Sequence, residues 1–362
     1  MKKGWEIKKL GDVCKVIAGQ SPEGKFYNGE GKGVPFYQGK KDFGEKFIEA
    51  PSTWTTQTTK IAKEGDILMS VRAPVGPVNF ATEEVCIGRG LAAIRSSAVL
   101  DRDFLFYQLR HLEPDIAGRE GAVFASINKA EIEALPLAFA PLPEQQRIVS
   151  ILDDAFEKIA TAKANAEKNI LNARALFESH LHVEHADKAL LGDLVIIKTG
   201  KLDANAAVEG GKYPFFTCSR DVFAINTYAF DCEAILLAGN NAVGDFNVKH
   251  YNGKFNAYQR TYVITVNEKK RVLYRFLYFQ MLKSLKKFKA QSVGAGTKFL
   301  KLGMIKDLEI ELPTLSEQQR IVSTMDSLST ETQCLEAIYR QKLAALEALK
   351  KSLLDQAFSG GL

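Results

Sequence analysis

The stretch Glu144-Gln145-Gln146-Arg147-Ile148-Val149-Ser150 occurs a second time, letter for letter, as Glu317-Gln318-Gln319-Arg320-Ile321-Val322-Ser323. The offset of 173 residues is close to half of the 362-residue chain. An identity of seven residues at half-length predicts an internal duplication. Because the period is far longer than a solenoid repeat, the duplication predicts two domains rather than a repeat array.

The duplication extends upstream of this repeat. Residues 104–109 resemble residues 276–281, and residues 10–12 stand opposite residues 191–193. Each half therefore consists of a globular part and a repeated tail. We predict four segments: globular domains over 1–142 and 185–312, and tails over 143–184 and 313–362.

The globular parts are predicted to be strand-rich α/β domains, which makes the fold class α+β. Short apolar runs at 66–71, 90–94, 234–238 and 261–266 lie between Gly, Pro and Asn residues, as is typical of buried strands. Helices are predicted between them, at 103–112, 129–135 and 272–287.

The tails are predicted to be long helices, because residues 144–181 and 317–359 contain neither Pro nor Gly. A seven-residue register places apolar side chains at its a and d positions, the pattern of a coiled-coil seam. The a residues are Val149, Phe156, Ile170 and Phe177, then Ile321, Leu328, Leu335 and Leu349; the d residues are Leu152, Ile159, Ala166 and Ala173, then Met325, Tyr339, Leu346 and Leu353.

Neither tail helix, at roughly 60 Å, can bury its apolar stripe alone, so the two copies are predicted to pair. The second globular part follows the first helix directly. A parallel pair would need a long return connection, whereas an antiparallel pair needs none. We therefore predict an antiparallel coiled coil, with one globular domain at each end and a pseudo-twofold relation between the halves.

Charge and cysteine content narrow the class of protein. The net charge of +5 is a mild bias toward polyanions, and eleven Lys or Arg with no acidic residue occupy 269–306. The five scattered cysteines show no CxxC spacing, which favours a reducing compartment. The N-terminal residues lack the apolar core of a signal peptide, and no apolar run approaches 18 residues. These features predict a cytoplasmic protein.

Several segments together resemble the specificity subunit of type I restriction-modification systems. They are the paired repeats at 142–149 and 315–322, the segments 65–68 and 72–76, and the stretch 253–261. The resemblance covers essentially the whole chain. It implies two target-recognition domains, each followed by a spacer helix, in a subunit with no catalytic residues of its own that reads a split DNA target.

The resemblance also implies the partners of the chain. It would bind double-stranded DNA, two modification subunits that use S-adenosylmethionine, and a restriction subunit that uses ATP and magnesium, while holding no cofactor itself. The predicted antiparallel coiled coil with a domain at each end suits a split target, because half-sites on one face of DNA repeat about every 34 Å. Since the two globular parts differ in their loops, the half-sites should differ in sequence. The alternative function is a coiled-coil adaptor with two protein-binding domains.

Candidate DNA contacts are side chains that suit base edges or phosphates and that lie on predicted loops. They are Tyr37, Gln38, Lys40, Lys41, Arg72, Arg89, Arg220, Asn240, Asn241, Lys249, Tyr258, Gln259, Arg260, Lys286, Lys287 and Lys298. The lysines suit phosphate better than bases. Alternatively, Arg72 and Arg89 hold loops, Asn240-Asn241 form a turn, and the lysines form a solvated helix face.

The repeated stretch itself suggests partner docking. The candidates are Gln145, Gln146, Arg147, Gln318, Gln319 and Arg320. The alternative is that Glu and Gln cap the helix start while Arg braces the globular part.

Motifs for catalysis are incomplete. Residues 19–26 nearly spell a phosphate-binding loop, but Phe26 stands where a Ser or Thr should bind magnesium and no helix pattern follows. A nucleotide-using enzyme is the third hypothesis, and it depends on Lys25 in this loop. His180, His182 and His185 are close in sequence. On a helix, however, the side chains of His180 and His182 would point in different directions, so no metal site is predicted.

Overall fold

We describe the chain from a computed structural model that covers residues 4–117, 126–179, 186–267 and 271–362. The chain divides into two compact units, of which unit 1 is Met1–Ala166 with Gln341–Leu362 and unit 2 is Glu167–Arg340. The two long helices are shared between the units. Each unit therefore contains one globular part and a segment of both helices.

Unit 1 begins with a strand, a one-turn helix and a second strand. Its elements are β1 (Glu6–Lys9), α1 (Leu10–Val13), β2 (Cys14–Ala18), β3 (Tyr27–Asn28), β4 (Val34–Tyr37), β5 (Trp54–Thr55), β6 (Ile61–Ala62), β7 (Ile67–Ser70), β8 (Val78–Phe80), β9 (Val85–Ile87), β10 (Leu91–Ser96), α2 (Arg102–Ala117), α3 (Lys129–Glu133), β11 (Pro136–Phe139) and the long helix α4 (Leu142–Ser179).

Unit 2 repeats this order. Its elements are β12 (Asp187–Leu190), α5 (Leu191–Leu194), β13 (Val195–Thr199), β14 (Tyr213–Phe216), β15 (Phe223–Ile225), β16 (Phe230–Ala238), β17 (Asn240–Asn241), β18 (Val248–Ala257), β19 (Thr261–Val266), α6 (Tyr274–Gln291), β20 (Lys298–Phe299), α7 (Leu302–Lys306), β21 (Glu309–Leu312) and the long helix α8 (Leu315–Ser359).

The sheets confirm the duplication. The order β2-β10-β7-β8 in unit 1 matches β13-β19-β16-β18 in unit 2, and β1 pairs with β11 as β12 pairs with β21. Each unit also has one parallel strand pair: β4 with β9, in a separate five-stranded sheet of unit 1, and β14 with the end of β18, in the main sheet of unit 2. The ten-residue β18 spans the positions of both β8 and β9, which makes one six-stranded sheet in unit 2.

The predicted elements are found close to their expected bounds, because they carry the strongest patterns. β19 coincides with the predicted strand at 261–266, and β7 and β10 consist largely of buried residues. The first repeated helix, α2, buries Phe104, Leu105 and Phe106 against the sheet of unit 1. Its counterpart α6 buries Phe276, Leu277 and Met281 in the core of unit 2.

The long helices pair in an antiparallel direction within each unit. In unit 1, Lys163 Nζ of α4 lies 2.9 Å from Glu347 Oε1 of α8, while Phe156, earlier in α4, contacts Lys350, later in α8. In unit 2, Asn169 Nδ2 of α4 donates to Tyr339 OH of α8 at 3.0 Å, while Arg174 Nε, later in α4, lies 2.6 Å from Glu336 Oε1, earlier in α8. Residue numbers rise along one helix as they fall along the other, as predicted.

The predicted seam is confirmed at the d positions of α4 but only in part at the a positions of α8. Leu152, Ile159, Ala166 and Ala173 are all buried. Leu335 and Leu349, expected at a, are 42% and 46% exposed, so that part of the prediction is wrong. In a pair of helices, each helix covers only the side chains that face it. Ile321 and Leu328 are shielded because α6 packs beside them.

No helix among the described residues is long and apolar enough to cross a membrane.

Candidate nucleic-acid interface

Arg89 lies in a tight turn that follows the parallel strand pair of unit 1. Gly88 N–H donates to Tyr37 O at 2.8 Å, and Gly90 N–H donates to Gln38 O at 3.1 Å. A Cβ atom at Gly90 would come within 2.4 Å of the backbone oxygen of Gln38, so only glycine fits there, and a Cβ atom at Gly88 would displace the Gln38 side chain. The backbone is therefore pinned, while the Arg89 side chain is exposed.

Ser21 fastens this turn to the neighbouring loop. Its Oγ donates to Gln38 Oε1 at 2.9 Å and accepts from Arg89 N–H at 3.3 Å. Gln38 is thus an exposed side chain whose orientation is fixed. Sequence reasoning missed Ser21, because its role depends on a contact across 68 positions of the chain.

Arg72 and Arg89 line one cavity of about 260 Å³, together with Ser126, Asn128 and Lys129. Both arginine side chains are exposed, and in residues 4–117, 126–179, 186–267 and 271–362 no carboxylate pairs with either of them. Two guanidinium groups at one cavity form a cationic donor surface that suits phosphate or the acceptor edge of a base.

Unit 2 has an equivalent turn with different side chains. Tyr258 N–H donates to Phe216 O at 2.9 Å, as Gly88 does to Tyr37, and Gln259 therefore occupies the position of Arg89. The amide Nε2 of Gln259 donates to Asp203 Oδ1. Arg260 is exposed beside it. Asp203 was not a candidate from sequence, because its contact with Gln259 spans 56 positions of the chain.

Asn240 occupies the position of Arg72. Val71 N–H donates to Gly90 O in unit 1, and Gly239 N–H donates to Arg260 O in unit 2. The next residue differs in role: Asn241 Oδ1 accepts from Val243 N–H and Asp245 N–H, at 2.9 and 3.0 Å. Its Oδ1 closes a turn, the alternative that the sequence left open for this residue, and its assignment as a base contact stays a prediction.

Two further candidates hold loops of the protein, and of these Tyr37 is buried while Lys249 is half-buried. Tyr37 is 1% exposed, its hydroxyl donates to Glu49 O at 2.7 Å, and burial raises its pKa to about 12. Lys249 Nζ donates to Ser219 O at 2.6 Å and to Asn247 Oδ1 at 2.5 Å, and burial lowers its pKa. Tyr37 is buried and supports a loop, so its prediction as a direct contact is corrected. Lys249 is half-buried, and its contact with DNA stays a prediction.

The remaining cationic candidates occupy separate places. Lys40 and Lys41 are exposed after Gly39, close in sequence to Gln38. In unit 2, Lys298 pairs with Asn241 through β20 and β17, and Lys298 also lies beside Lys289 around Gly244.

The candidate lysines of α6 line two different cavities. Lys286 and Arg220 line a cavity of about 750 Å³ between α6 and the long helices, where Arg220 also pairs with Asp245 at 2.6 Å. Lys287 faces a different cavity of about 240 Å³ that includes Glu309 and Glu311. The candidates of unit 2 therefore do not form one patch.

The first glutamine of each repeated stretch is a buried brace. Gln145 Oε1 accepts from Asp101 N–H at 2.7 Å, and its Nε2 donates to Ala140 O at 2.7 Å and Val99 O at 3.2 Å. Gln318 makes the same three contacts, with Leu273 N–H, Pro313 O and Arg271 O, each at 2.9 Å. Both are 0% exposed, so their prediction as docking residues is corrected: they fasten the globular part to its helix.

The other residues of the repeated stretch remain accessible. Gln146, Arg147, Gln319 and Arg320 are exposed, and Arg147 forms a bidentate pair with Glu144, at 2.8 and 3.0 Å. At the start of α8, Glu317 instead accepts from Thr314 N–H at 3.0 Å in a capping arrangement. The first copy has Pro141 in place of this threonine and no N–H to donate.

The nucleotide-binding hypothesis gains no support from the structure. After β2 the loop at 19–23 leads into a three-residue 3₁₀ turn, not the helix that a phosphate loop requires, and Lys25 pairs with Glu23 at 2.6 Å. Among the described residues there is no cluster of three metal ligands. His180, His182 and His185 lie outside the described residues.

Two copies of one α+β unit, each with exposed Arg or Gln side chains on a pinned turn and each followed by a long helix, define a duplicated recognition-domain protein. The chain belongs to the family described as the type I restriction modification DNA specificity domain. The family model matches residues 2–172 and again 186–347, which confirms the resemblance and the duplication.

Relatives within the family match parts of the chain. The type I restriction enzyme EcoDI specificity subunit of Escherichia coli is 42% identical over 172 residues, which are 48% of this chain and 37% of that protein. The putative type I restriction enzyme MjaX specificity subunit of Methanocaldococcus jannaschii is 43% identical over 171 residues, 45% of this chain and 40% of that protein. The aligned region thus spans about two fifths of the length of these curated relatives.

Solved structures share the fold over the full chain. A chain from a structure on complex assembly and conformational transition of the type I R-M system matches with a TM-score of 0.79 and 18% identity, covering 100% of this chain and 99% of that one. The HsdS subunit from Thermoanaerobacter tengcongensis matches with a TM-score of 0.55 and 17% identity, covering 100% and 98%. At these identities the likeness concerns the fold.

Proposed function

We propose that the chain is the DNA sequence-recognition subunit of a type I restriction-modification complex, with each unit reading one part of a split, asymmetric target. The observation that carries this proposal is the pair of equivalent turns. The two units hold one backbone arrangement but present different side chains from it, Arg89 in one and Gln259 in the other. A duplicated framework with divergent reading residues suits two different half-sites.

Phosphate contacts would position the duplex around these turns. Lys40 and Lys41 in unit 1, and Lys289 and Lys298 in unit 2, supply cations next to the turns or to Asn241. Lysine is a flexible point charge, so it suits phosphate oxygens better than the fixed donor pattern of a base. Binding through several such contacts falls steeply as salt rises.

The long helices would recruit the partners. In unit 2, Leu171, Leu176, Leu335 and Ile338 are 42% to 64% exposed on α4 and α8. Such apolar exposure on two neighbouring helices is typical of a protein contact surface. We propose that two modification subunits, which use S-adenosylmethionine, and a restriction subunit, which uses ATP and magnesium, supply the chemistry. This chain would supply recognition and no cofactor.

Competition binding between duplexes tests this function. The full chain with its modification partner is mixed with a randomised pool of labelled duplexes, and the bound fraction is measured from 50 to 200 mM salt and then sequenced. We expect affinity to fall about a thousandfold or more over this range if six or more phosphates are contacted, with enrichment of one split sequence. Salt-insensitive binding without sequence enrichment would instead favour the protein-binding adaptor.

A further inference from the structure

We infer that the two units use one positional code: the Arg72 and Arg89 pair of unit 1 reads guanine, and the Asn240 and Gln259 pair of unit 2 reads adenine. The inference rests on the proposed function and adds the base class that each unit recognises. The inference is drawn from the side chains at two positions that the same backbone hydrogen bonds define in both units.

The two positions are equivalent because the same backbone bonds define them. In the post-strand turn (residues 88–90 in unit 1 and 258–260 in unit 2), Leu91 N–H donates to Gly88 O at 3.0 Å, and Thr261 N–H donates to Tyr258 O at 2.8 Å. The central residue is tied to the preceding loop in both units, since Arg89 N–H donates to Ser21 Oγ and Gln259 N–H donates to Leu202 O.

The second position is the residue that follows the central strand. Arg72 makes an antiparallel bridge with Ser126, and Asn240 pairs in the same way with Phe299. The preceding residue, Val71 or Gly239, donates its N–H to the last carbonyl of the post-strand turn in each unit. A backbone hydrogen bond therefore joins the residues next to the two positions, which lie on neighbouring strand ends.

The side chains at these positions differ in a way that matches base edges. An arginine guanidinium has five donors and no acceptor, which fits the O6 and N7 acceptors of guanine and conflicts with the N6 amino group of adenine. A glutamine or asparagine amide offers one acceptor and donors side by side, which fits adenine N6 and N7. Unit 1 holds two arginines at these positions, and unit 2 holds two amides.

Asp203 makes Gln259 more selective. The Gln259 amide group has two N–H donors, and one of them is given to Asp203 Oδ1. The carboxylate therefore fixes which end of the amide is the nitrogen, and leaves the second N–H and Oε1 for a ligand. In unit 1 the matching restraint acts on the backbone alone, because Ser21 holds Arg89 N–H while the guanidinium stays exposed.

The test reads both half-sites in one experiment. The full chain with its modification partner selects from a pool of randomised duplexes, and the bound fraction is sequenced for wild type, Arg89→Gln and Gln259→Ala. We expect two sequence elements, one requiring a G·C pair and the other an A·T pair. Arg89→Gln should lower guanine selection in the first element by about tenfold to a hundredfold and leave the second unchanged. Gln259→Ala should lower adenine selection in the second element and leave the first element unchanged.

Two further variants separate reading from folding. Arg72→Asn should weaken the same element as Arg89→Gln, whereas Arg102→Gln, an exposed arginine at the start of α2, should change neither. Two elements that survive intact in Arg89→Gln and Gln259→Ala overturn the inference and leave the proposed function standing. A wild-type complex that enriches no sequence overturns both.

Discussion

Replacing Gln145 with alanine tests whether the repeated stretch fastens each globular part to its helix. The substitution removes three hydrogen bonds from a fully buried site, at 2.7, 2.7 and 3.2 Å. A buried polar group left without a partner costs about 1–3 kcal/mol. Water that enters the vacated space would satisfy some of the three backbone groups that Gln145 had bound. We therefore expect unit 1 to lose about 3 kcal/mol of unfolding free energy.

Urea unfolding followed by tryptophan fluorescence measures this loss in unit 1 alone. The chain has two tryptophans, Trp5 and Trp54, and both lie in unit 1. With an m-value of about 2 kcal/mol/M, a loss of about 3 kcal/mol lowers the fluorescence midpoint by about 1.5 M. Gln318→Ala should destabilise unit 2 by a similar amount, which far-UV circular dichroism detects, and should shift the fluorescence midpoint far less.

The neighbouring glutamine provides the matched control. Gln146 has the same chemistry but is exposed, so Gln146→Ala should change stability by no more than about 0.5 kcal/mol. If Gln145→Ala were as stable as wild type, or if Gln146→Ala lowered stability equally, the claim that Gln145 fastens the globular part to its helix would be contradicted.

Three other predictions address burial, charge and helix length. Burial raises the pKa of Cys14 to about 12, so iodoacetamide at pH 8, followed by mass spectrometry, should label exposed Cys334 well before Cys14; equal rates would contradict this. Arg174 lowers the pKa of Glu336, so Arg174→Ala should destabilise unit 2 by at most about 1 kcal/mol at pH 7. That loss should shrink as pH falls through the lowered pKa, because the protonated carboxyl no longer needs the arginine; urea midpoints at pH 7 and pH 3 check the sign. Inserting one heptad into α4 after Ala166 and into α8 after Arg340 adds about 10 Å to each helix, so mapped sites should keep their half-sites and gain about three unread base pairs.

The sequence predicts those parts of the fold that carry periodic or repeated patterns. Long helices without Pro or Gly, and apolar runs such as β19, come out close to their observed bounds. Two-residue strands such as β5 and β6 do not, because they are fixed by pairing with distant segments rather than by their own composition. The exposed Leu335 shows a further limit, since a heptad pattern does not reveal what covers each side of a helix.

Candidate site residues were predicted by chemical type, and the structure separates them by environment. Tyr37 has a side chain that suits DNA contact, but it is buried and its hydroxyl holds a loop. Gln145 and Gln146 are adjacent and identical in type, yet one is buried and the other exposed, because a helix turns by about 100° per residue. Ser21 and Asp203 act only through contacts with residues far along the chain.

The most direct test of the account is to reconstitute the chain with its modification subunit and to map methylated positions in DNA by sequencing. Two separate reading units should give methylation at one split target, made of two different short elements separated by a fixed number of unread base pairs. Methylation at a continuous, unsplit site would contradict the account of two separate reading units.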